Sequence, residues 1–392
     1  MKRTRILAFT ILALVIASIP AFSAGGKNVI LFSWDGVQRE HMKECMSRNE
    51  LPNLAALIKE GTLVDIDITH ITDTKAGHSQ MLTGYDPETT GVFSNGKFKP
   101  IPEGYSIFER LESALGKDKI TTVMLTGKTH HIGNCPPAKP IDPKTLDPGY
   151  FPGKNTPAEA SGDAAKKPTE ASDTPAAVSN DAAVNAADQP VAAGARNPRR
   201  AARRAAAAKN ANNAAKPANA NQVAKKAGQQ NKLGEPWYLV YKNMDVWNGE
   251  KARDATVVGP LALGYLDKYG KDRFFMFFHF SDPDAKGHKF GENSKEENDA
   301  YILCDKWLGE VVGKLKSQGI YEKTLVYVTS DHGFDEGRKG HNNAPSVYLA
   351  SNDKKVVHGG NQRDIVPTIL TEMGVDRTKF EPKLPGKSLT EK

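Results

Sequence analysis

The chain has 392 residues, with 53 Lys and Arg against 46 Asp and Glu, a formal net charge of +7 and three cysteines. Cys45, Cys135 and Cys304 are too few for a disulfide framework and none has CxxC or CxxH spacing, which excludes a stapled mini-fold and a thiolate metal site. Residues 155–232 hold 12 Lys and Arg against 6 Asp and Glu, and the N-terminus adds Lys2, Arg3 and Arg5, so the remainder is slightly acidic and a basic folded core is excluded.

The N-terminus has the layout of an export signal. The three basic residues precede an apolar run from Ile6 to Ile19, and Ala21-Phe22-Ser23 offers a small-residue cleavage site. A run of about 14 residues is short for a bilayer span, which needs roughly 17–25. The expectation is a signal peptide over 1–23, a periplasmic or secreted mature protein, and no stable membrane insertion after cleavage; an uncleaved anchor is the alternative.

Strands are expected at 28–34, 63–68, 120–126, 274–280, 324–330 and 346–350. Several, such as `FFMFFHF`, are continuous apolar runs, the pattern of parallel strands covered on both faces. Helical patterns lie between them at 51–61, 106–116, 259–270, 297–319 and 362–374. The alternation predicts an α/β fold, a doubly wound sheet with helices on both sides. Residues 24–154 and 233–392 should form one catalytic domain. The stretch 155–232 contains no Phe, Trp, Tyr, Ile, Leu or Met and cannot offset its ordering entropy by burial, so it should be a disordered insertion. It could bind anionic polymers weakly, or serve as a tolerated surface insert.

Four stations in this order carry metal-binding or nucleophilic side chains, each at or just past an apolar run: Asp35, Thr74, Asp284 with His288, and Asp331–His332 with His341. Ligand sites in parallel α/β sheets form at the carboxyl ends of strands. Asp35 alone reads as well as an Asp-Gly turn. Thr74 precedes a helix expected to begin near Ala76, where a hydroxyl meets free N–H groups that favour a phosphoryl group; an N-cap threonine is the plain alternative, and Thr72 competes with it. An unactivated threonine needs help to become a nucleophile. Asp284 and His288 are spaced i, i+4, so a helical turn or a tight loop could aim both at one ion. Mixed Asp/His ligation suits zinc first, then manganese or iron, and argues against an all-oxygen calcium or magnesium cage.

With these residues in view the chain resembles the alkaline phosphatase superfamily, and in particular its type I phosphodiesterase/nucleotide pyrophosphatase-like branch. The resemblance lies in `LFSWDG`, the run from Thr74 to Val92, `DAKGH`, `SDHG` and `RDIVPTILTEMGV`. It implies an alkaline-phosphatase-like three-layer α/β/α fold with a mostly parallel sheet. It places Asp35, Thr74, Asp331 and His332 around one divalent ion and Asp284, His288 and His341 around a second, with His358 as the alternative third ligand. It gives Asn95, 21 residues after Thr74, a hydrogen bond to a phosphoryl oxygen. Lys128 and His130 in `LTGKTHH` resemble the Lys-x-Arg or Lys-x-Lys element of some monoesterases and phosphonate hydrolases, although His130 is not reliably cationic at neutral pH.

The activity so implied is hydrolysis of a small phosphate ester through a covalent phospho-threonine, on diesters, nucleotide pyrophosphates or monoesters. A sulfatase of the same superfamily needs Cys or Ser where this chain has Thr74; a phosphonate hydrolase is the other relative. The mutase branch has a serine nucleophile in a cytosolic protein, against which Thr74 and the export signal count. The non-enzyme alternative is an envelope polyanion-binding protein whose working part is the basic insert.

Overall fold

The computed structural model describes residues 26–137, 234–249 and 251–391. The expected signal peptide and the 155–232 insertion lie outside the described residues. The described chain forms one eight-stranded sheet. Its strands are β1 (Asn28–Trp34), β2 (Thr62–Asp67), β3 (Thr121–Leu125), β4 (Val246–Asn248), β5 (Phe274–Phe280), β6 (Thr324–Thr329), β7 (Ser346–Ser351) and β8 (Gly360–Asn361). The order across the sheet is β4-β3-β5-β1-β6-β7-β2-β8. β7 pairs antiparallel with both neighbours, and every other pairing is parallel.

Alternation along the central strands divides the interior into two cores. Val29, Leu31, Phe275, Phe277 and Tyr327 face one side, packed under helices Thr74–Thr83, Ile107–Leu115 and Ile365–Glu372. Ile30, Phe32, Trp34, Met276, Phe278, Phe280 and Val328 face the other, under helices Arg39–Ser47, Pro52–Glu60, Ala255–Tyr269 and Lys295–Ser317. Both faces of β1, β5 and β6 are therefore dry, which is why those strands read as unbroken apolar runs. The expected three-layer α/β/α architecture is the observed one.

Differences are small and have local causes. β4 and β8 were not expected, because strands of three and two residues are too short to carry a periodic signal. Helix Arg39–Ser47 was also missed; only His41, Met42 and Cys45 of it are buried. The helix expected to begin near Ala76 begins at Thr74. No helix among the described residues is long and apolar enough to cross a membrane.

Candidate active site

Parallel strands bring their carboxyl ends to one edge, and the site is built there. Asp35 follows β1, Lys128 follows β3, Asp284 follows β5 and Asp331 follows β6. The turn after Asp35 needs its glycine. Gly36 has φ +79°, and a Cβ there would meet the Phe334 ring at 2.8 Å and Asp284 Cα at 3.0 Å. Its N–H donates to Asp331 Oδ1 at 3.1 Å, which ties the first strand end to the sixth.

The second side of the site is the start of helix Thr74–Thr83. Asp73 is its N-cap but makes no side-chain cap; its Oδ2 accepts from the Asn95 N–H at 2.8 Å instead. Thr74 is the first helical residue, and its hydroxyl is not a cap. It lies 3.3 Å from Lys128 Nζ and 3.3 Å from His332 Nε2. The helix can press this close because residue 77 is glycine: a Cβ there would stand 2.5 Å from the Asp331 carbonyl oxygen. Asn95 Oδ1 accepts from the Lys75 N–H at 3.0 Å, which fixes the amide and leaves its NH₂ as the donating end.

The histidines share one pattern. Nδ1–H of His288 donates to the Lys339 carbonyl at 2.8 Å, that of His332 to the Gly333 carbonyl at 3.0 Å, and that of His341 to the Thr72 carbonyl at 2.6 Å. A carbonyl only accepts, so each ring carries its proton on Nδ1 and turns Nε2 to the site. The His332 and His341 rings stack at 4.0 Å, and His288 Nε2 lies 3.3 Å from Asp284 Oδ1. Thr72 is explained by this arrangement, since its hydroxyl also donates to the His341 carbonyl.

Charge is concentrated at the centre. Lys128 Nζ lies 2.6 Å from Asp284 Oδ2 and 3.0 Å from Asp35 Oδ1. Burial works against the Lys128 ammonium, yet the carboxylates of Asp284, Asp35 and Asp331 hold its pKa above the ordinary lysine value. Burial likewise works against the Asp284 and Asp331 carboxylates, but Lys128 and the facing histidines, His332 foremost for Asp331, hold both well below the usual range. Asp35 is lowered less simply: burial and Asp331 push it up, and Lys128 with His279 pulls it down further. His341 is pushed down to about 4 by burial and by His332 beside it.

Sequence reasoning and geometry meet at most positions. Asp35, Thr74, Lys128, Asp284, His288, Asp331, His332 and His341 stand together, with Asn95 against the first turn of the Thr74 helix. His358 is elsewhere: it is exposed, and both ring nitrogens face carbonyl oxygens, of Gly359 and Glu391. His130 is exposed too. The histidine that senses Lys128, Lys75, Asp35 and Asp284 is His131, held down to about 3 by burial and the two lysines. Two buried histidines were passed over, His78 in the Thr74 helix and His279 in β5. Their only signal was a polar residue in an otherwise apolar or fully buried element.

Comparison with known proteins accords with this arrangement. The family model for type I phosphodiesterase/nucleotide pyrophosphatase matches residues 29–375. The chain belongs to that family. Among curated relatives, a stretch of 63 residues is 36% identical to human bis(5'-adenosyl)-triphosphatase ENPP4, covering 16% of this chain and 14% of that one. A stretch of 136 residues is 29% identical to the 2,3-bisphosphoglycerate-independent phosphoglycerate mutase of Clostridium kluyveri, covering 32% of this chain and 25% of the mutase. The chain thus matches a quarter or less of the length of these two relatives. Of solved structures, Ps i-CgsB covers 93% of this chain and 75% of its own at a TM-score of 0.50 and 14% identity. BT4656, solved with its substrate D-glucosamine-2-N,6-O-disulfate, gives 0.50 at 11% identity, with 93% and 79% covered. These two share the fold, which is that of the alkaline phosphatase superfamily.

The residues fit the divalent ions of such a family. Asp284 Oδ1 and Asp331 Oδ2 are buried and accept no hydrogen bond, although histidine nitrogens lie within 3.3 Å of each. Buried carboxylate oxygens without donors are costly unless a cation serves them. Ligand atoms of Asp35, Asp331 and His332 lie within 4.8 Å of one another, as do those of Asp284, His332 and His341. His332 thus stands between the two groups, and His288 joins the second through Asp284.

Proposed function

We propose that the protein is a metal-dependent phosphoric ester hydrolase with Thr74 as nucleophile. The observation that carries this reading is the Thr74 hydroxyl at a helix start, 3.3 Å from both Lys128 Nζ and His332 Nε2 and ringed by three buried carboxylates. Asp35, Asp331 and His332 would hold one divalent ion and Asp284, His288 and His341 a second, with zinc the best match to the donors. Such ions lower the pKa of a bound hydroxyl and neutralise charge developing on phosphoryl and leaving oxygens.

The chain's own residues do the rest. The start of helix Thr74–Thr83 brings the positive end of its dipole to the site, which favours a phosphoryl group at Thr74. The free NH₂ of Asn95 donates to a non-bridging oxygen, and Lys128 adds a fixed positive charge beside Thr74 Oγ1. The Oγ1–P bond forms as the ester O–P bond breaks, and the alcohol leaves. Water then cleaves the phospho-threonine and restores the hydroxyl. The type I phosphodiesterase family assignment favours phosphodiesters and nucleotide pyrophosphates ahead of monoesters. Sulfatase chemistry is disfavoured because position 74 holds neither Cys nor Ser. The basic and apolar N-terminus supports action in the periplasm or outside the cell.

The test is a panel of nitrophenyl phosphate, bis-nitrophenyl phosphate, a phenylphosphonate ester and nitrophenyl sulfate, run with and without chelator alongside elemental analysis. We expect turnover of a phosphorus ester, its loss on chelation and recovery with zinc. Activity that survives in protein free of zinc, manganese and iron would overturn the reading.

A further inference from the structure

A third group of Asp and His ligand atoms within 4.8 Å of one another joins Asp35 to His78 and His279. Its hydrogen bonds give it a different role from the other two. His279 lies in β5, in register with Ser33 of β1, and is fully buried. Two donors face its Nδ1: the Gly127 N–H at 3.1 Å and the Thr126 hydroxyl at 3.1 Å. A backbone amide only donates, so Nδ1 carries no proton and Nε2 carries the single one. That Nε2–H donates to Asp35 Oδ2 at 2.8 Å. His78 is committed as well, with Nδ1–H donating to the Thr74 carbonyl at 2.8 Å and Nε2 accepting from the Ser33 hydroxyl at 2.9 Å. Neither ring has a lone pair left for an ion.

We infer that His279 is a positioning residue that makes Asp35 a one-oxygen metal ligand. Its Nε2–H takes Oδ2 from the β5 side; Lys128 Nζ reaches both oxygens, Oδ1 at 3.0 Å and Oδ2 at 2.9 Å, and Oδ1 is the oxygen that faces His332 Nε2, at 3.5 Å. The donors on Nδ1 fix the ring, the ring holds Oδ2, and the carboxylate is kept from turning, with Oδ1 toward His332. The chain of contacts runs from the loop after β3, through β5, to the end of β1. This inference rests on Asp35 being a metal ligand.

Zinc affinity of the metal-free protein, measured by chelator competition in wild type, His279→Gln and His279→Phe, tests it. Gln keeps an N–H donor near the place of Nε2, and Phe has none. Replacing such outer partners commonly weakens metal binding about 10- to 100-fold. We expect that loss for one zinc in His279→Phe and recovery of most of it in His279→Gln. Equal losses in both variants, or none in His279→Phe, would overturn the inference. Should His279→Phe fail to fold, a two-bond ¹H–¹⁵N correlation spectrum of the wild-type protein decides. An Nε2 proton kept on zinc addition supports the role, and its loss would mean that His279 itself ligates. Wild-type protein that binds none of zinc, manganese and iron defeats the hydrolase reading instead, a distinct result.

Discussion

Lys128 Nζ joins the Thr74 hydroxyl, at 3.3 Å, to the Asp284 carboxylate at 2.6 Å. One ammonium therefore touches the proposed nucleophile and both flanking acids, since Asp35 Oδ2 lies 2.9 Å and Oδ1 3.0 Å away. Replacing it by methionine keeps the volume and removes the charge. Turnover of Lys128→Met should fall about 10²- to 10³-fold, the usual effect of losing one preorganised charge-stabilising donor. Zinc affinity should rise, because the ammonium competes with cations for the same carboxylates. A variant with unchanged kcat would remove Lys128 from the chemistry.

Thr74→Ala should abolish turnover while zinc content is largely kept, because Asp35, Asp331 and His332 remain. Thr74→Ser should keep partial activity and form a phospho-serine that a rapid acid quench can trap. Thr72→Ala should do something milder: its hydroxyl seats the His341 carbonyl, so zinc affinity drops and added zinc restores rate. If Thr72→Ala is the dead variant and Thr74→Ala the mild one, the nucleophile is Thr72.

Glu297 gives a stability prediction outside the chemistry. It is fully buried in helix Lys295–Ser317, Oε1 has no hydrogen-bond partner, and burial raises its pKa from 4.5 to about 9. With the folded value above the unfolded one, its contribution is complete below pH 4.5 and declines as pH rises to about 9. Glu297→Gln keeps the shape without the titration. Melting of the metal-free proteins should coincide near pH 5 and diverge by pH 8.5, the variant melting higher by about 2–4 °C per kcal/mol gained. Parallel Tm curves across that range would contradict the assignment.

The ends of the chain around residues 138–233 meet. The Glu235 N–H donates to the Cys135 carbonyl at 3.0 Å, and Trp237 N–H to the Gly133 carbonyl at 3.2 Å. Deleting 155–232 should therefore leave cooperative unfolding and small-ester turnover nearly intact. Binding to anionic polymers at low salt should weaken, since 12 of the basic residues go with it. Loss of cooperative unfolding on deletion would show that the segment is structural.

The sheet was legible because its central strands are dry on both faces and read as apolar runs, and because Asp35, Asp284 and Asp331 come within a few residues of the ends of such runs. The i, i+4 spacing of Asp284 and His288 also held, on helix Asp282–Phe290. What stayed hidden was whatever depends on contacts between distant segments. Nothing in `FFHF` tells that His279 will meet Asp35, because its tautomer is set by Gly127, a residue on a different strand end. The choice of His131 over His130 was equally invisible: two adjacent histidines in a turn differ only in which one the fold covers.

The position of β1 has a consequence for biogenesis. Val29 pairs with Phe275 on one side and Leu325 on the other, so the first strand of the described residues occupies the middle of the sheet. During synthesis from the N-terminus, `NVILFSW` emerges long before either neighbour exists, an apolar strand with two bare edges and a tendency to pair with other chains. The sheet centre can close only after β6 has been made, which leaves a wide interval for a holding chaperone to bind. The cores on both faces of β1 therefore close late, after residues 324–329 have been added.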